Sequence, residues 1–416
     1  MKDHLDAKIG SLTRRLYLVL SLGIAFPLLG VTLDVSESPR SNLVLSLKAI
    51  LNAQKSIVMN AYELTSYEVA EALIQKINEG VRVELLQEGQ PVGGLIPEAK
   101  DIQKKIIKAM EANSNAQLHG YWMMTSETEK GKRRFRYNHA KYIVIDDRGV
   151  MVGSENYSPS GQPEPGSPSG TRGWQTFIYD EQMARNFLKV FRKDINTSHG
   201  DLVTLYSPKI PLPTVLGRVA DWIGSMQNGV NRLEKRFSWM LSDEPKTLEA
   251  DHVEFLTSPE SSMVGLLAFI ESAQETLDLE LMSFNPMWGK TGETSPLLNA
   301  LVAAAKRGVK IRVLVNDSTV FGGDNESDIK LINMIDLIAK EKHIPLAAAI
   351  ADLPKMKVKY IHNKGALADG YKTLISSINW NQNSVENNRE TAISVDSQSI
   401  NEHYQAIFDL DWNASH

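Results

Sequence analysis

The chain has 416 residues, too long for one ordinary domain and comfortable for two, with 23% charged and 42% hydrophobic residues, a normal globular composition. A net charge of −5 supplies no global field to attract nucleic acid or anionic lipid, although a local basic groove would suffice for either. There is no cysteine, which excludes thiol catalysis, disulfides and Cys-ligated metal centres.

In chain order, Arg14 and Arg15 precede an uncharged run from Leu16 to Leu33 that is broken by Gly23, Pro27 and Gly30. A basic flank, an apolar stretch and the small pair Gly23 and Ala25 fit a secretory leader cleaved after Ala25. An uncleaved membrane anchor is the second reading, since the run is short for a span of about 20 residues. A helix feeding a buried first strand is the third.

From here one pattern runs twice. Val31–Val35 alternates as a strand, Leu43–Gln54 has helical spacing, Ser56–Asn60 is a β-type run, Val69–Asn78 is helical, and Val81–Leu86 after Gly80 reads as a buried strand. In the second half the counterparts are strand Val253–Leu256, helix Val264–Gln274, strand Leu277–Leu281, helix Leu297–Lys306 and strand Val309–Val315 after Gly308. The words Asn52-Ala53-Gln54 and Ser272-Ala273-Gln274 recur in place, and each half closes on a helix, Phe187–Asp194 and Tyr404–Asp411. Alternating strands and helices point to an α/β layered fold with a parallel or mixed sheet, duplicated. The expected organisation is a leader or anchor over 1–30, a first unit over 31–205, a helical insertion over 206–250 and a second unit over 251–416. Within the insertion Val215, Val219, Trp222, Met226, Val230, Leu233, Phe237 and Met240 form a stripe at helical spacing. Such a stripe ordinarily packs on its own domains; Trp222, Phe237 and Trp239 would also suit a lid or a lipid interface.

The chemistry-bearing words are His139-x-Lys141-x-x-x-x-Asp146, followed by Gly153-Ser154-Glu155-Asn156, and His362-x-Lys364-x-x-x-x-Asp369, followed by Ser376-Ser377-Ile378-Asn379. On a strand, residues two apart share a face, so each His and its Lys would enter the same cavity. A phosphodiester repels nucleophiles by its negative charge; two lysines and two amide side chains around it would neutralise and orient it. One histidine would attack phosphorus while the other protonates the leaving oxygen.

The doubled motif resembles that of the phospholipase D superfamily, over essentially the whole chain after about residue 31. The resemblance implies two duplicated α-β-α sandwich domains with the active site at their interface, and two-step chemistry through a covalent phosphohistidine. It places His139, Lys141, Asn156, His362, Lys364 and Asn379 in the phosphate pocket, supported by Ser154 and Ser377, with Asp146 and Asp369 as structural partners. The family commonly places an acidic residue after the second motif, here Glu390, which would accept a hydrogen bond from His362. The matching first-half position falls on Gln175, which can orient an imidazole but cannot stabilise its charged form. Family habit makes His139 the nucleophile; the carboxylate of Glu390 argues for His362. No Asp/Glu/His cluster has metal-ligand spacing, and the lysines occupy the place of a metal, so no cofactor or metal is expected.

Four aromatics sit beside these words, Tyr142, Tyr157, Trp174 and Trp380, as stacking surfaces for bases, as pocket walls or as packing. Lys130–Arg136 is a basic run that would track a polyanion or simply form a solvated face. The Pro/Gly/Ser-rich Gln162–Gly170 is a loop placed to rim the site. A phospholipid-hydrolysing or phosphatidyl-transferring enzyme acting at a membrane surface is the first reading. A secreted or periplasmic nuclease is the second, and an idle scaffold on the same fold the third. No obligate protein partner is implied, because one chain supplies both half-sites.

Overall fold

The computed structural model describes residues 30–113, 118–126, 133–165, 167, 170–207 and 244–416. Residues 1–29 of the leader or anchor expected over 1–30, and the helical stripe from Val215 to Met240, lie outside them. Val31–His416 form one unit.

The first half runs β1 (Val31–Ser38), α1 (Asn42–Asn52), β2 (Ser56–Ala61), α2 (Tyr67–Asn78), β3 (Arg82–Glu88), α3 (Pro97–Ala112), β4 (Gly120–Met124), β5 (Tyr142–Ile145), β6 (Gly149–Gly153), β7 (Gly173–Ile178), α4 (Glu181–Asp194) and β8 (Leu202–Tyr206). β9 (Lys246–Ala250) leads into the second half. That half runs β10 (His252–Ser258), α5 (Ser262–Ser272), β11 (Thr276–Leu281), the short hairpin β12 (Met287–Trp288) and β13 (Glu293–Thr294), α6 (Pro296–Lys306), β14 (Lys310–Val315), α7 (Glu326–Lys342), β15 (Leu346–Ile350), α8 (Leu353–Met356), β16 (Lys364–Ala368), β17 (Lys372–Ser376), α9 (Gln382–Glu386), β18 (Glu390–Asp396) and α10 (Gln398–Ser415).

The first sheet has the order β8-β4-β3-β2-β5-β6-β7-β1-β9 and the second β10-β18-β17-β16-β11-β14-β15. Seven strands of the first sheet match the seven of the second one for one, and β8 and β9 extend the first at its two edges. In both, three adjacent strands pair in parallel (β2, β3 and β4; β11, β14 and β15), and the motif-bearing strands pair antiparallel to their neighbours. The expected duplicated α/β fold is therefore present. One boundary shifts: Lys246–Ala250, assigned from sequence to the insertion, pairs with β1 and belongs to the first sheet.

The helices α1 and α5 stop at residues 52 and 272, two residues before the sequence periodicity ends. The backbone N–H groups of Gln54, Lys55 and Ser56 donate to the Asp146 carboxylate, and those of Gln274, Glu275 and Thr276 to Asp369. A carboxylate that satisfies three successive donors leaves the helix no reason to continue. The recurring Asn-Ala-Gln and Ser-Ala-Gln words are thus the turns the motif aspartates hold. Asp146 and Asp369 themselves sit at φ 55° and 53°, a left-handed conformation that Asp tolerates better than most residues.

Three apolar layers result. One covers the helix side of the first sheet with Leu47, Ile50, Leu73 and Ile106, and a second covers the helix side of the other sheet with Leu266, Ile270, Leu301 and Ile335. The third lies between the sheets and joins residues of both halves: Trp174, Phe187 and Phe191 with Ile375, Ile393, Tyr404, Phe408 and Trp412. The closing helices α4 and α10 contribute to this shared layer, so neither half buries its inner sheet face without the other.

Candidate active site

Both motifs meet at the seam. His139 and His362 lie just ahead of β5 and β16, outside the ladders, where the chain crosses to the other half. The N–H of His139 donates to the carbonyl of Arg389 (2.8 Å), and the N–H of Arg389 returns the bond to Tyr137 (2.8 Å). The second half mirrors this: His362 N–H to Arg172 O (2.8 Å) and Arg172 N–H to Tyr360 O (2.9 Å). The residue before each histidine is held by a side chain at the end of the neighbouring strand region, Asn138 N–H by Glu88 (2.6 Å) and Ile361 N–H by Asn316 (2.8 Å). Each histidine backbone is therefore fixed from its own half and from its partner.

Side chains of the same two arginines clamp the halves. Arg172 forms a two-pronged ion pair with Asp411 on α10 (2.6 and 3.1 Å), and Arg389 binds Asp194 on α4 (2.8 and 3.0 Å) together with Glu260. Both guanidiniums are buried, so these pairs act with little screening by solvent.

Within the pocket, Lys141 Nζ donates to the carbonyl of His139 (2.6 Å), and Lys364 donates to that of His362. Tyr62 lies under Lys141 and edge-on to His139 (ring centroids 4.5 Å), while Met282 occupies the corresponding place beside Lys364 (3.5 Å). Asn156 and Asn379 follow the strand-ending turns, and the Oδ1 of each has no hydrogen-bond partner within the protein.

Electrostatics make this an anion site. Burial lowers the pKa of Lys141 to about 8 and that of His139 to about 4, with Lys141 and Lys364 adding repulsion against the pull of Glu390. His362 and Lys364 are likewise held well below their ordinary values by burial, then by the charges of the other lysines and, for His362, of His139. Four basic groups thus compete for few counter-charges. A phosphodiester placed among them would relieve that conflict, as a fixed cationic site does for charge developing on transferring phosphoryl oxygens.

A family model described as the phospholipase D-like domain of cardiolipin synthase matches residues 47–195 and 266–412, one match in each half, each containing one motif. The chain belongs to the phospholipase D superfamily. It is similar to the mitochondrial cardiolipin hydrolase of Xenopus tropicalis, 25% identical over 158 residues, which are 38% of this chain and 64% of that one. The Danio rerio mitochondrial cardiolipin hydrolase shows the same identity over 158 residues and 59% of its length. The chain therefore spans less than two thirds of these relatives. The solved phosphatidylserine synthase of Haemophilus influenzae Rd KW20 shares the fold, with a TM-score of 0.60 at 13% identity over 93% of this chain and 88% of that one.

Against this phospholipase D frame two assignments made from sequence need correction. Glu390 does not hold His362: its Oε2 lies 2.8 Å from Nδ1 of His139, the histidine of the other half. It also accepts from Ser377 Oγ (2.6 Å) and Asn388 Nδ2 (2.9 Å). Although burial pushes its pKa up, His139, Lys141 and Ser377 hold it below the usual carboxylate range. Gln175 does not flank His139. It faces α1, where its amide contacts the carbonyl of Asn42, Ser46 Oγ and Gln162. Linear distance from the motif misled in both cases, because the residues just ahead of β7 and β18, Arg172 and Arg389, bridge to the other half.

Sequence reasoning gave Glu155 no role, yet its Oε2 lies 3.1 Å from His362 Nδ1. Burial pushes its pKa up to about 8, against the pull of Lys364 and Lys141. The clue available was an acidic residue inside a Gly-Ser-x-Asn turn whose second copy carries Ile378. Ser154 and Ser377 occupy equivalent turns, bonding to Trp174 and to Thr391 and Glu390 respectively. Tyr142, Tyr157, Trp174 and Trp380 are all fully buried packing residues. In the basic run, Arg133 is bound to Glu88 (2.5 Å) and Arg134 to Asp201 (2.8 Å).

Proposed function

We propose that the protein is a phospholipid phosphodiesterase or phosphatidyltransferase that works through a covalent phosphohistidine. The observation carrying this reading is the seam pocket, in which two His–Lys pairs from the two halves converge with their amide partners and an ionised carboxylate behind only one histidine. Nδ1–H of His139 donates to Glu390, which leaves Nε2 free to attack phosphorus. His139 is accordingly the nucleophile and His362 the acid/base. As the His139 N–P bond forms and the P–O bond to the leaving group breaks, His362 delivers a proton to the departing alkoxide. In the second step His362 takes the proton of water or an alcohol whose oxygen attacks phosphorus and expels His139. Lys141, Lys364, Asn156 and Asn379 would hold the phosphoryl oxygens in both steps.

Several features support lipid over nucleic acid. Arg133 and Arg134 are occupied by ion pairs, and the four aromatics beside the motifs are buried, so neither offers a track for a polynucleotide. Exposed apolar side chains flank the pocket instead. Val92 (75% exposed) lies in the loop whose N–H binds Tyr62 Oη (2.7 Å), and Phe321 (55% exposed) packs on Tyr360 beside His362. Such residues suit contact with a membrane surface. Two similar proteins bear the name mitochondrial cardiolipin hydrolase. Arg14, Arg15 and the uncharged residues after them support export across, or anchoring to, a membrane.

The deciding experiment pairs phosphatidylglycerol or phosphatidylcholine turnover with single-stranded DNA cleavage, using wild type, His139→Ala and His362→Ala. Acid-quenched protein is mapped for the phosphorylated residue. Lipid turnover abolished by both substitutions, with label on His139, is expected. Cleavage of DNA alone would establish the nuclease reading, and activity unaffected by both substitutions would overturn the mechanism.

A further inference from the structure

The hydrogen-bond and strand registers of the two halves correspond around the pocket, but one carboxyl has moved. In the second half Ser377 N–H donates to Thr391 O and Thr391 N–H to Ser377 Oγ; in the first, Ser154 and Trp174 exchange the same two bonds. Thr391 therefore corresponds to Trp174, and Glu390 to Gly173. Strand pairing gives the same answer independently, since Ser258 of β10 faces Glu390 and Ser38 of β1 faces Gly173. The first half thus carries glycine where the second carries the carboxylate that holds the opposite histidine.

Glu155 fills that place. A Cβ built on Gly173 would lie 2.1 Å from Glu155 Oε1 and 2.6 Å from its Cδ and Cγ, so any larger residue there would displace the glutamate. Gly173 is not required for a left-handed turn, because its backbone is an ordinary strand residue, paired with Ser38. What it provides is room. Into that room Glu155 projects from the turn after β6, buried, with Oε2 3.1 Å from His362 Nδ1 and Oε1 without a hydrogen-bond partner.

We propose that Glu155 is the positioning residue of His362. It supplies from the β6 turn the carboxyl that Glu390 supplies to His139 from β18, and Gly173 is the vacancy that admits it. The pairing rests on the acid/base role assigned to His362 above, but the placement can be tested without any substrate. The two carboxyls also differ in kind. Glu390 takes three donors and is a carboxylate, so His139 keeps its proton on Nδ1. Glu155 approaches His362 Nδ1 to 3.1 Å without a hydrogen bond between them, and although Lys364, Lys141 and Arg172 draw on its charge, burial pushes its pKa up to about 8. A protonated Glu155 would donate to Nδ1 of His362 and leave the proton on Nε2; as Nε2 gives that proton to the leaving oxygen, Nδ1 takes the proton of Glu155, so the pair ends as a neutral imidazole and a carboxylate.

The test uses ¹⁵N-histidine spectra of the full chain, with His362 and His139 signals assigned by their loss in His362→Ala and His139→Ala. Glu155→Ala should change the tautomer signature of His362 and leave that of His139. Gly173→Ala should do the same without altering Glu155, by crowding it out. Gly173→Glu in the Glu155→Ala background should return the His362 signature toward that of wild type. If lipid or DNA turnover is present, Glu155→Ala should lower kcat by up to about 100-fold with a smaller effect on KM, and the double variant should recover most of it. An unchanged His362 spectrum in either folded single variant overturns the assignment. So does a folded double variant whose His362 spectrum matches Glu155→Ala. Absence of lipid turnover would overturn the functional reading above and leave the spectral result standing.

Discussion

His139 in the first half and Glu390 in the second are joined by a buried 2.8 Å contact across the seam. The histidine and the carboxylate that orients it thus come from different halves, and neither half alone holds an oriented pair. Glu390→Gln keeps the shape of the side chain and removes its charge. It should lower kcat by about 10²- to 10³-fold with little change in KM, read by steady-state kinetics, because the amide cannot stabilise the imidazolium or enforce the Nδ1–H tautomer.

Anion binding should take up protons. With its pKa near 4, His139 is neutral in the free protein at neutral pH, and a bound anion favours its charged form. Affinity for sulfate, whose charge is constant in this range, should therefore tighten as pH falls from about 8 to 6 at fixed ionic strength. Thermal-shift titrations measure this, and pH-independent affinity would contradict the electrostatic account. Without anion the sign for stability is the reverse. The unfolded histidine protonates near 6.5 and the folded one near 4, so its contribution is complete above about 6.5 and is lost as pH falls toward 4.

Arg389→Ala leaves Asp194 buried without its cation, and Arg172→Ala does the same to Asp411. Each should cost about 3–5 kcal/mol in urea unfolding. Arg389→Met with Asp194→Leu, which removes both charges of a pair, should cost less than Arg389→Ala. A double variant as unstable as the single one would show that the pair contributes more than mutual neutralisation.

Asp146→Ala strips the N–H groups of Gln54, Lys55 and Ser56 of their acceptor at the far end of β5 from His139. A stability loss of about 1–3 kcal/mol is expected, with kcat of the folded protein reduced less than 10-fold. A kcat loss comparable to that of His139→Ala would mean that Asp146 acts in the chemistry.

Lys141 and Lys364 are the cations expected to neutralise the phosphoryl group, without a metal ion. Activity should persist in excess EDTA. A strict requirement for Mg²⁺ or Zn²⁺ would count against the two-lysine pocket.

The doubled His-x-Lys motif, the α/β alternation and the repeat were legible along the chain because each depends on local spacing: period 2 in strands, period 3.6 in helices, recurring words at turns. That Asp146 and Asp369 serve as structural partners was implied by the family resemblance alone; the helix-ending turns they hold are a feature of the tertiary structure. Partnership across the seam was not legible. Glu390 and Gln175 were placed by counting residues from the nearest motif, whereas the chain entering β7 and β18 bridges to the opposite half, so proximity in sequence and proximity in space part company. Burial decided the aromatics and the arginines, turning Trp174 and Trp380 into core and Arg133 and Arg134 into ion pairs. Glu155 stood in plain view within its motif, but its meaning depended on an absence at Gly173. Only packing shows that a missing side chain on one strand is the space occupied by a carboxyl from another.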